Sequence, residues 1–483
     1  MNMKKILYAG SEVMPFAATG GLGDVLGSLP AAVKQKNPEC DVRVVMPYYG
    51  QIKPEWRKKM TYVKHMMVPL AWRKLYCGIY SLEKDGVTFY FLDNEYYFRR
   101  SSLYGCFDDA ERFAFFSVAV LELMSAVDFY PDVFHANDWQ TALAVIKLKR
   151  SYTLIPEYFR IRAVYTIHNI EYQGVYDMGL LEDVFDLAGS DNMIVEYDGA
   201  LNLTKGAVVC ADYVTTVSPN YSKEIQTEAY GCGLQNILRQ NKAKIGGIVN
   251  GIDLTYYNPE NDPDLPFSYD AEDLTGKQKN KEAMQKKFGL DVEPDIPVIA
   301  MISRMASHKG FDLVLNVFNE MMKSEVQFIL LGTGEKAYES FFETAAKRYP
   351  GRASVNLTYD RALSKLIYAG ADIFLMPSKS EACGLSQMIA SRYGAVPIVR
   401  ETGGLYDTIK PYGFDGSGNG FTFAAYNAND MLHVIREAEL LYEDTEKWTE
   451  LVQKVMKVDF SWDVSAAEYI SCYESLLNFK RKR

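Results

Sequence analysis

No apolar run in the 483-residue chain approaches the length needed to cross a bilayer. The start, MNMKKILYAGSE, has two lysines but only a very short apolar stretch, with neither a signal-peptide core nor a cleavage site. Cysteine is scattered. The seven, at 40, 77, 106, 210, 232, 383 and 472, form no CxxC pair, so reduced thiols in a cytoplasmic protein are expected rather than a disulfide frame. The five histidines include no pair at helical metal-ligand spacing, which argues against structural zinc or a zincin site. Positive charge is in deficit. The formal net charge of −10 speaks against a nucleic-acid-binding surface and against attraction to anionic membrane. Tandem repeats at solenoid spacing and low-complexity tails are missing too. One local absence bears on chemistry: PFAATGGLGDVLGSLPAAV, Pro15 to Val33, contains no lysine or arginine.

What is present is a chain too long for a single core, in which short apolar runs alternate with amphipathic stretches. Ile6–Ala9, Val42–Met46, Val87–Leu92, Val133–His135, Ala163–Ile167 and Val214–Val217 read as strands. They are continuous rather than alternating, as strands covered on both faces should be. A second series follows at Pro297–Ile302, Val326–Leu331, Val355–Leu357, Ile373–Met376 and Val396–Val399. Strands separated by helical patterns imply βαβ units and parallel sheets. The polar stretch NPENDPDLPFSYDAEDLTG lies near the join, and the boundary is placed just before it, around Lys244–Ile248. The expected fold is α/β, with two doubly wound Rossmann-like domains facing a central cleft and ligands bound beyond the carboxyl ends of the strands.

The glycines of TGGLGDVLG admit three readings. Gly21, Gly23 and Gly27 loosely resemble a dinucleotide fingerprint, but they come about a dozen residues after the first strand. Tight packing is the second reading. The third is an anion cradle, in which backbone N–H groups and a helix start approach a phosphate.

TGGLGDVLGSLP, HANDW (135–139), TIHNIEYQG (166–174), VSPNYSKEI (217–225), VNGID (249–253), SRMASHKG (303–310), LGTGE (331–335), SEACGLSQ (380–387) and ETGGLYDT (401–408) occur in this order. Together they resemble the bacterial glycogen synthase and plant starch synthase family, retaining glucosyltransferases of the two-domain GT-B type. The resemblance runs on to DFSWDVSAAEYI (459–470). It implies a first domain over 1–246 on the acceptor side and a second over 247–460 on the sugar-nucleotide side. Over 461–483 it implies a terminal helix that crosses back to the first domain. The implied activity is transfer of glucose from ADP-glucose to the non-reducing end of an α-1,4-glucan, with maltooligosaccharide or glycogen as acceptor. UDP-glucose as donor, or a catalytically weakened glucan-binding relative, are the alternatives. No cofactor is implied.

The chemistry of the motifs is readable physically. Expelling a diphosphate builds charge that fixed positive groups must meet. Arg304 and Lys309 can supply a planar fork and a point charge from one loop, and by resemblance they are the diphosphate pair. Glu381 sits between an apolar strand and Cys383-Gly384-Leu385, where a carboxylate can hold sugar hydroxyls beside a helix start. By resemblance it orients the donor glucose. Position 389, eight residues on, is Ile, where the wider superfamily often has a second glutamate. Cys383 has no flanking histidine or lysine to activate it. Thr402, Gly403 and Gly404 offer further backbone donors at a strand end. His168 ends a strand, where a side chain faces the cleft; by resemblance it lies at the sugar, partly through its backbone carbonyl, which implies positioning and charge stabilisation rather than a general-base role. The resemblance also places Thr19, Gly20, Gly21, Asp24, Tyr104, Asp138, Trp139, Asn169 and Asn250 at the substrates, and Tyr359 on the nucleotide base. No DxD motif stands at a strand end. Asp108 and Asp109 read as helix-capping charges, and with arginine, lysine and helix starts neutralising the leaving group no divalent metal is required.

The chain departs from the family at one point: Ala18 stands where most members have the lysine of Lys-Thr-Gly-Gly-Leu. Losing that charge-assisted contact is worth roughly 1.5–3 kcal/mol, about ten- to a hundredfold in binding.

Overall fold

A computed structural model describes residues 3–358, 360–413 and 415–478. The chain forms two compact units, Met1–Gly251 with Trp462–Arg483, and Ile252–Ser461.

In the first unit, the described residues form a nine-stranded sheet. Its order is Ile245–Gly247, Tyr213–Thr216, Arg162–Ile167, Val133–Asn137, Lys5–Ala9, Asp41–Pro47, Val87–Asp93, Arg73–Lys84, Thr61–Leu70. All neighbours pair in parallel except the last two pairs, which are antiparallel. The parallel strands coincide with the continuous apolar runs. Val133–Asn137 is buried at every position, the mark of a strand covered on both faces. The hairpin Thr61–Leu70 and Arg73–Lys84 escapes a reading based on continuous runs because it forms the sheet's edge. Tyr62, Met67 and Tyr76 are exposed there, and apolar residues are interleaved with polar ones. A small three-stranded sheet, Val175–Tyr176, Ala200–Asn202 and Glu196–Tyr197, is too short for periodicity to show.

The chain leaves Lys5–Ala9 toward Asp41–Pro47 on one side and later lays Val133–Asn137 on the other. The loops that follow Lys5–Ala9 and Val133–Asn137 therefore flank the point where strand order reverses, the place where open α/β sheets bind ligands. Helix Gly21–Lys36 has Asp24 in its first turn and Lys34 and Lys36 in its last, which suits the helix dipole. Helix Trp462–Asn478 packs on it. Its Ala466, Tyr469 and Tyr473 are fully buried, and Tyr473 hydrogen-bonds His135 Nδ1 at 2.7 Å.

In the second unit the order is Ala353–Asn356, Gln327–Leu331, Val298–Ile302, Ile373–Met376, Val396–Arg400, Phe421–Phe423, all parallel among the described residues. Here the reversal falls between Val298–Ile302 and Ile373–Met376. The loops that follow those strands carry Arg304 with Lys309, and Glu381.

Candidate functional site

In the second unit, Lys309 Nζ donates to Glu381 Oε2 at 2.6 Å, and Ser378 Oγ donates to the same oxygen at 3.2 Å. The side chains are 22% and 11% exposed, so the pair is held in a partly dehydrated place rather than on open surface. Arg304, by contrast, is exposed and its guanidinium has no hydrogen-bond or ion-pair partner among the described residues. The loop bearing Glu381 is fixed from below. Arg400 donates to Lys379 O at 2.8 Å, and the Gly404 N–H lies 3.3 Å from Glu381 O.

Two glycines permit this assembly. Gly403 has φ +44°, and a Cβ there would lie 1.8 Å from Glu381 O. Gly310 has φ +78°, and a Cβ would meet Pro377 O at 2.1 Å. Thr402 is fully buried beneath the loop. Cys383 is buried, while Gly384 and Leu385 are partly exposed. Gln387 Nε2 donates to Cys383 O and Gly384 O, each at 3.1 Å, which locks the turn into the helix Ser386–Arg392. Tyr359 lies outside the described residues.

In the first unit, the loop after Lys5–Ala9 turns back on itself. Glu12 is buried, and its carboxylate accepts the N–H of Thr19, the N–H of Gly20 at 3.0 Å and the Thr19 hydroxyl at 2.8 Å. The Gly20 N–H, counted among the backbone donors of an anion cradle, thus already serves a protein carboxylate. Gly21 opens the helix, is exposed, and has open space where a side chain would start. Asp24 and Ala18 are partly exposed. Ser11 Oγ and Tyr104 OH are hydrogen-bonded at 2.8 Å.

Across the same strand-order reversal, Asp138 adopts φ +57° and ψ 176°, a conformation non-glycine residues rarely hold. Its carboxylate accepts the His168 N–H at 2.8 Å and also the Asn169 N–H. Burial, the largest cause, raises its pKa to about 7. The two N–H groups oppose the rise, and Glu12 adds to it. His168 Nε2 lies 2.9 Å from Asn137 Oδ1. His168 is partly exposed, and partial removal of the ring from water lowers its pKa to about 3. The ring is neutral at physiological pH. Asn169 Oδ1 accepts the Glu171 N–H at 2.9 Å. Trp139 packs edge-on against Phe113 at 5.2 Å between centroids and tilted against Tyr176 at 5.8 Å. Asn250 is 7% exposed, and its Oδ1 is buried with no hydrogen-bond partner among the described residues. An acceptor in that state is costly unless a ligand or water satisfies it.

The structure thus gathers Ser11, Thr19, Gly20 and Tyr104 around Glu12, and Asp138, His168 and Asn169 around one carboxylate. It gathers Lys309, Glu381, Gly403 and Gly404 at the other reversal point. Three residues escape a sequence reading. Glu12 is an acid just past a strand end and was open to notice there. Asn137 sits unremarked inside HANDW. Ser378 gives no local signal, because its role depends on a bond to Glu381. Among the described residues no group of three or more His, Cys, Asp or Glu side chains could hold a metal ion, and no helix is long and apolar enough to cross a membrane.

Comparison with known proteins agrees along the whole chain. Residues 5–240 match the family described as Starch synthase catalytic domain, and residues 280–455 match Glycosyl transferases group 1. The chain is 47% identical over 476 residues to a glycogen synthase of Geobacillus thermodenitrificans, covering 98% of each protein. It is 47% identical over 478 residues to one of Desulforamulus reducens, covering 98% of this chain and 99% of the relative. Among solved structures, it is similar to the catalytic domain of starch synthase IV from Arabidopsis thaliana bound to ADP and acarbose. That similarity has a TM-score of 0.90 at 32% identity, over 99% of this chain and all of the other. A sucrose-phosphate synthase from Thermosynechococcus elongatus, at 15% identity and TM-score 0.61 over 98% of this chain and 99% of the other, shares the fold. The chain belongs to the glycogen and starch synthase family of glycosyltransferases, two parallel-sheet α/β domains of the GT-B type.

Proposed function

We propose that this chain extends an α-1,4-glucan at its non-reducing end with glucose from ADP-glucose, retaining the α-configuration. The observation that carries the reading is Lys309 held by Glu381, with exposed Arg304 on the same loop, at the strand-order reversal of the second unit. The relative solved with ADP and acarbose, a nucleoside diphosphate and an oligosaccharide mimic, supports both substrate classes.

In this reaction the bond from the anomeric carbon to the diphosphate oxygen breaks. A bond to the acceptor hydroxyl oxygen forms on the same face, and the hydroxyl proton passes to the leaving diphosphate. Negative charge grows on the diphosphate as positive charge grows on the sugar. Arg304 and Lys309 meet the first, with Arg304 free to form a bidentate contact. Glu381 orients the donor glucose, with Thr402, Gly403, Gly404, Cys383, Gly384 and Leu385 lining the turn beside it. Tyr359 takes the base. In the first unit, Asp138 does not act as a nucleophile. Its carboxylate holds the backbone of His168 and Asn169, and so aims His168 at the sugar. Thr19, Gly21, Asp24, Tyr104, Trp139 and Asn250 line the substrate side. The absence of a lysine at position 18 weakens donor binding relative to the family without touching the Arg304–Lys309–Glu381 set.

The test is an assay of nucleoside diphosphate release with ADP-glucose and UDP-glucose side by side, using maltooligosaccharide as acceptor and reading product anomers by proton NMR. Elongation from ADP-glucose with α-linked product is expected. Preference for UDP-glucose would replace the donor assignment, and binding of glucan with no transfer from either donor would overturn the enzymatic reading.

A further inference from the structure

The polar atoms behind His168 allow one assignment of hydrogens. Asn137 is 1% exposed. Its Nδ2 donates to Ala9 O at 3.1 Å and to His135 O at 3.2 Å. Both are carbonyls and can only accept, so that side of the amide must be the nitrogen. Oδ1 therefore faces His168 Nε2 at 2.9 Å. An amide oxygen cannot donate, so Nε2 carries the hydrogen. A neutral imidazole has one N–H, which leaves Nδ1 as a bare lone pair. Among the described residues Nδ1 has no hydrogen-bond partner. Burial keeps the ring neutral, with its pKa lowered to about 3.

The neighbouring groups do not compete for Nε2. Asp138 is committed to the backbone side, through the His168 N–H. His135 is engaged through both nitrogens, by Tyr473 OH and by Thr166 Oγ1.

We propose that Asn137 is a positioning residue that fixes His168 as the Nε2–H tautomer, so that Nδ1 is an obligate acceptor for a hydroxyl of the bound sugar. The sugar half of this statement rests on the proposed function; the tautomer does not. The opposite tautomer would set an unprotonated Nε2 against the Asn137 oxygen and turn Nδ1 into a donor. The same pocket would then select a ligand acceptor instead of a hydroxyl proton. Asn137 thus decides the polarity of the contact without touching the ligand.

The experiment is a long-range proton–nitrogen correlation spectrum of the full chain labelled with nitrogen-15 at histidine, recorded near pH 7.5 without ligand. His168 is assigned by its loss in His168→Gln. A pyrrole-type Nε2 and a pyridine-type Nδ1 are expected; a protonated Nδ1 would overturn the proposal. In Asn137→Leu, which removes the acceptor at similar volume, the tautomers should mix and kcat/KM for the donor should fall about tenfold. An unchanged tautomer there would refute the role of Asn137. The wild-type spectrum decides the tautomer even where the variant fails to fold. Saturating ADP-glucose should move the Nδ1 resonance, as acceptance of a hydrogen bond requires, and an unmoved resonance would overturn the sugar contact alone. Because the ligand-free spectrum needs no turnover, its failure is distinguishable from failure of the proposed activity.

Discussion

Lys309 Nζ and Glu381 Oε2 lie 2.6 Å apart, although 72 residues separate them in the chain. The pair leaves each partner with spare capacity. A lysine ammonium has three donors and a carboxylate several acceptor positions, so Lys309 can face a diphosphate while Glu381 faces sugar hydroxyls. Replacing Lys309 or Arg304 with Ala should lower kcat at least tenfold, about 1.4 kcal/mol of transition-state stabilisation, because the contact strengthens as leaving-group charge develops. Steady-state kinetics with saturating donor measure it. Unchanged kcat in both variants would remove the diphosphate role.

Asp138 gives a pH dependence with a definite sign. Its pKa is raised from 3.8 to about 7, chiefly by burial. The folded protein therefore keeps a proton that the unfolded chain releases. The resulting contribution to stability is full below pH 3.8 and is lost as pH rises through about 7. Activity should run the other way, since the carboxylate form accepts the N–H groups of His168 and Asn169. The pH profile of kcat should show an acidic limb with a midpoint near 7, and Asp138→Asn should lack that limb. A wild-type profile flat from pH 6 to 8 would contradict this.

The glycine loop makes a two-variant prediction. Gly21 has open space around it and no positive φ, so Gly21→Ala should change folding stability by no more than about 0.5 kcal/mol. Weaker donor binding in that variant then reports contact with the ligand rather than damage to the fold. Ala18→Lys restores the charge and should tighten donor binding, by up to about a hundredfold. Calorimetric titration of ADP-glucose reads both. Wild-type affinity in both variants would reduce the loop to packing.

Gly403 is the reverse case. Its φ of +44° and the 1.8 Å approach of a Cβ to Glu381 O leave no room for alanine. Gly403→Ala should cost about 1–3 kcal/mol of stability and displace Glu381, lowering Tm and kcat together. Wild-type Tm and kcat in this variant would show that the turn is not required to seat Glu381.

Much of this protein was legible in the chain itself. A strand covered on both faces must be apolar at nearly every position, so Val298–Ile302 and Ile373–Met376 announce themselves locally, and so do the polar loops that follow them with Arg304, Lys309 and Glu381. Local pattern does not give strand order, because neighbours in a parallel sheet are chosen by crossovers and by packing over long separations. Only the folded chain therefore shows that these two loops flank one reversal point, that Glu12 spends its carboxylate on Thr19 and Gly20, and that Tyr473 meets His135 across 338 residues. The edge hairpin Thr61–Lys84 follows the same logic. Half-exposed and paired antiparallel, it lacks the unbroken apolar run that identifies a central strand, and the sheet alone gives it its place.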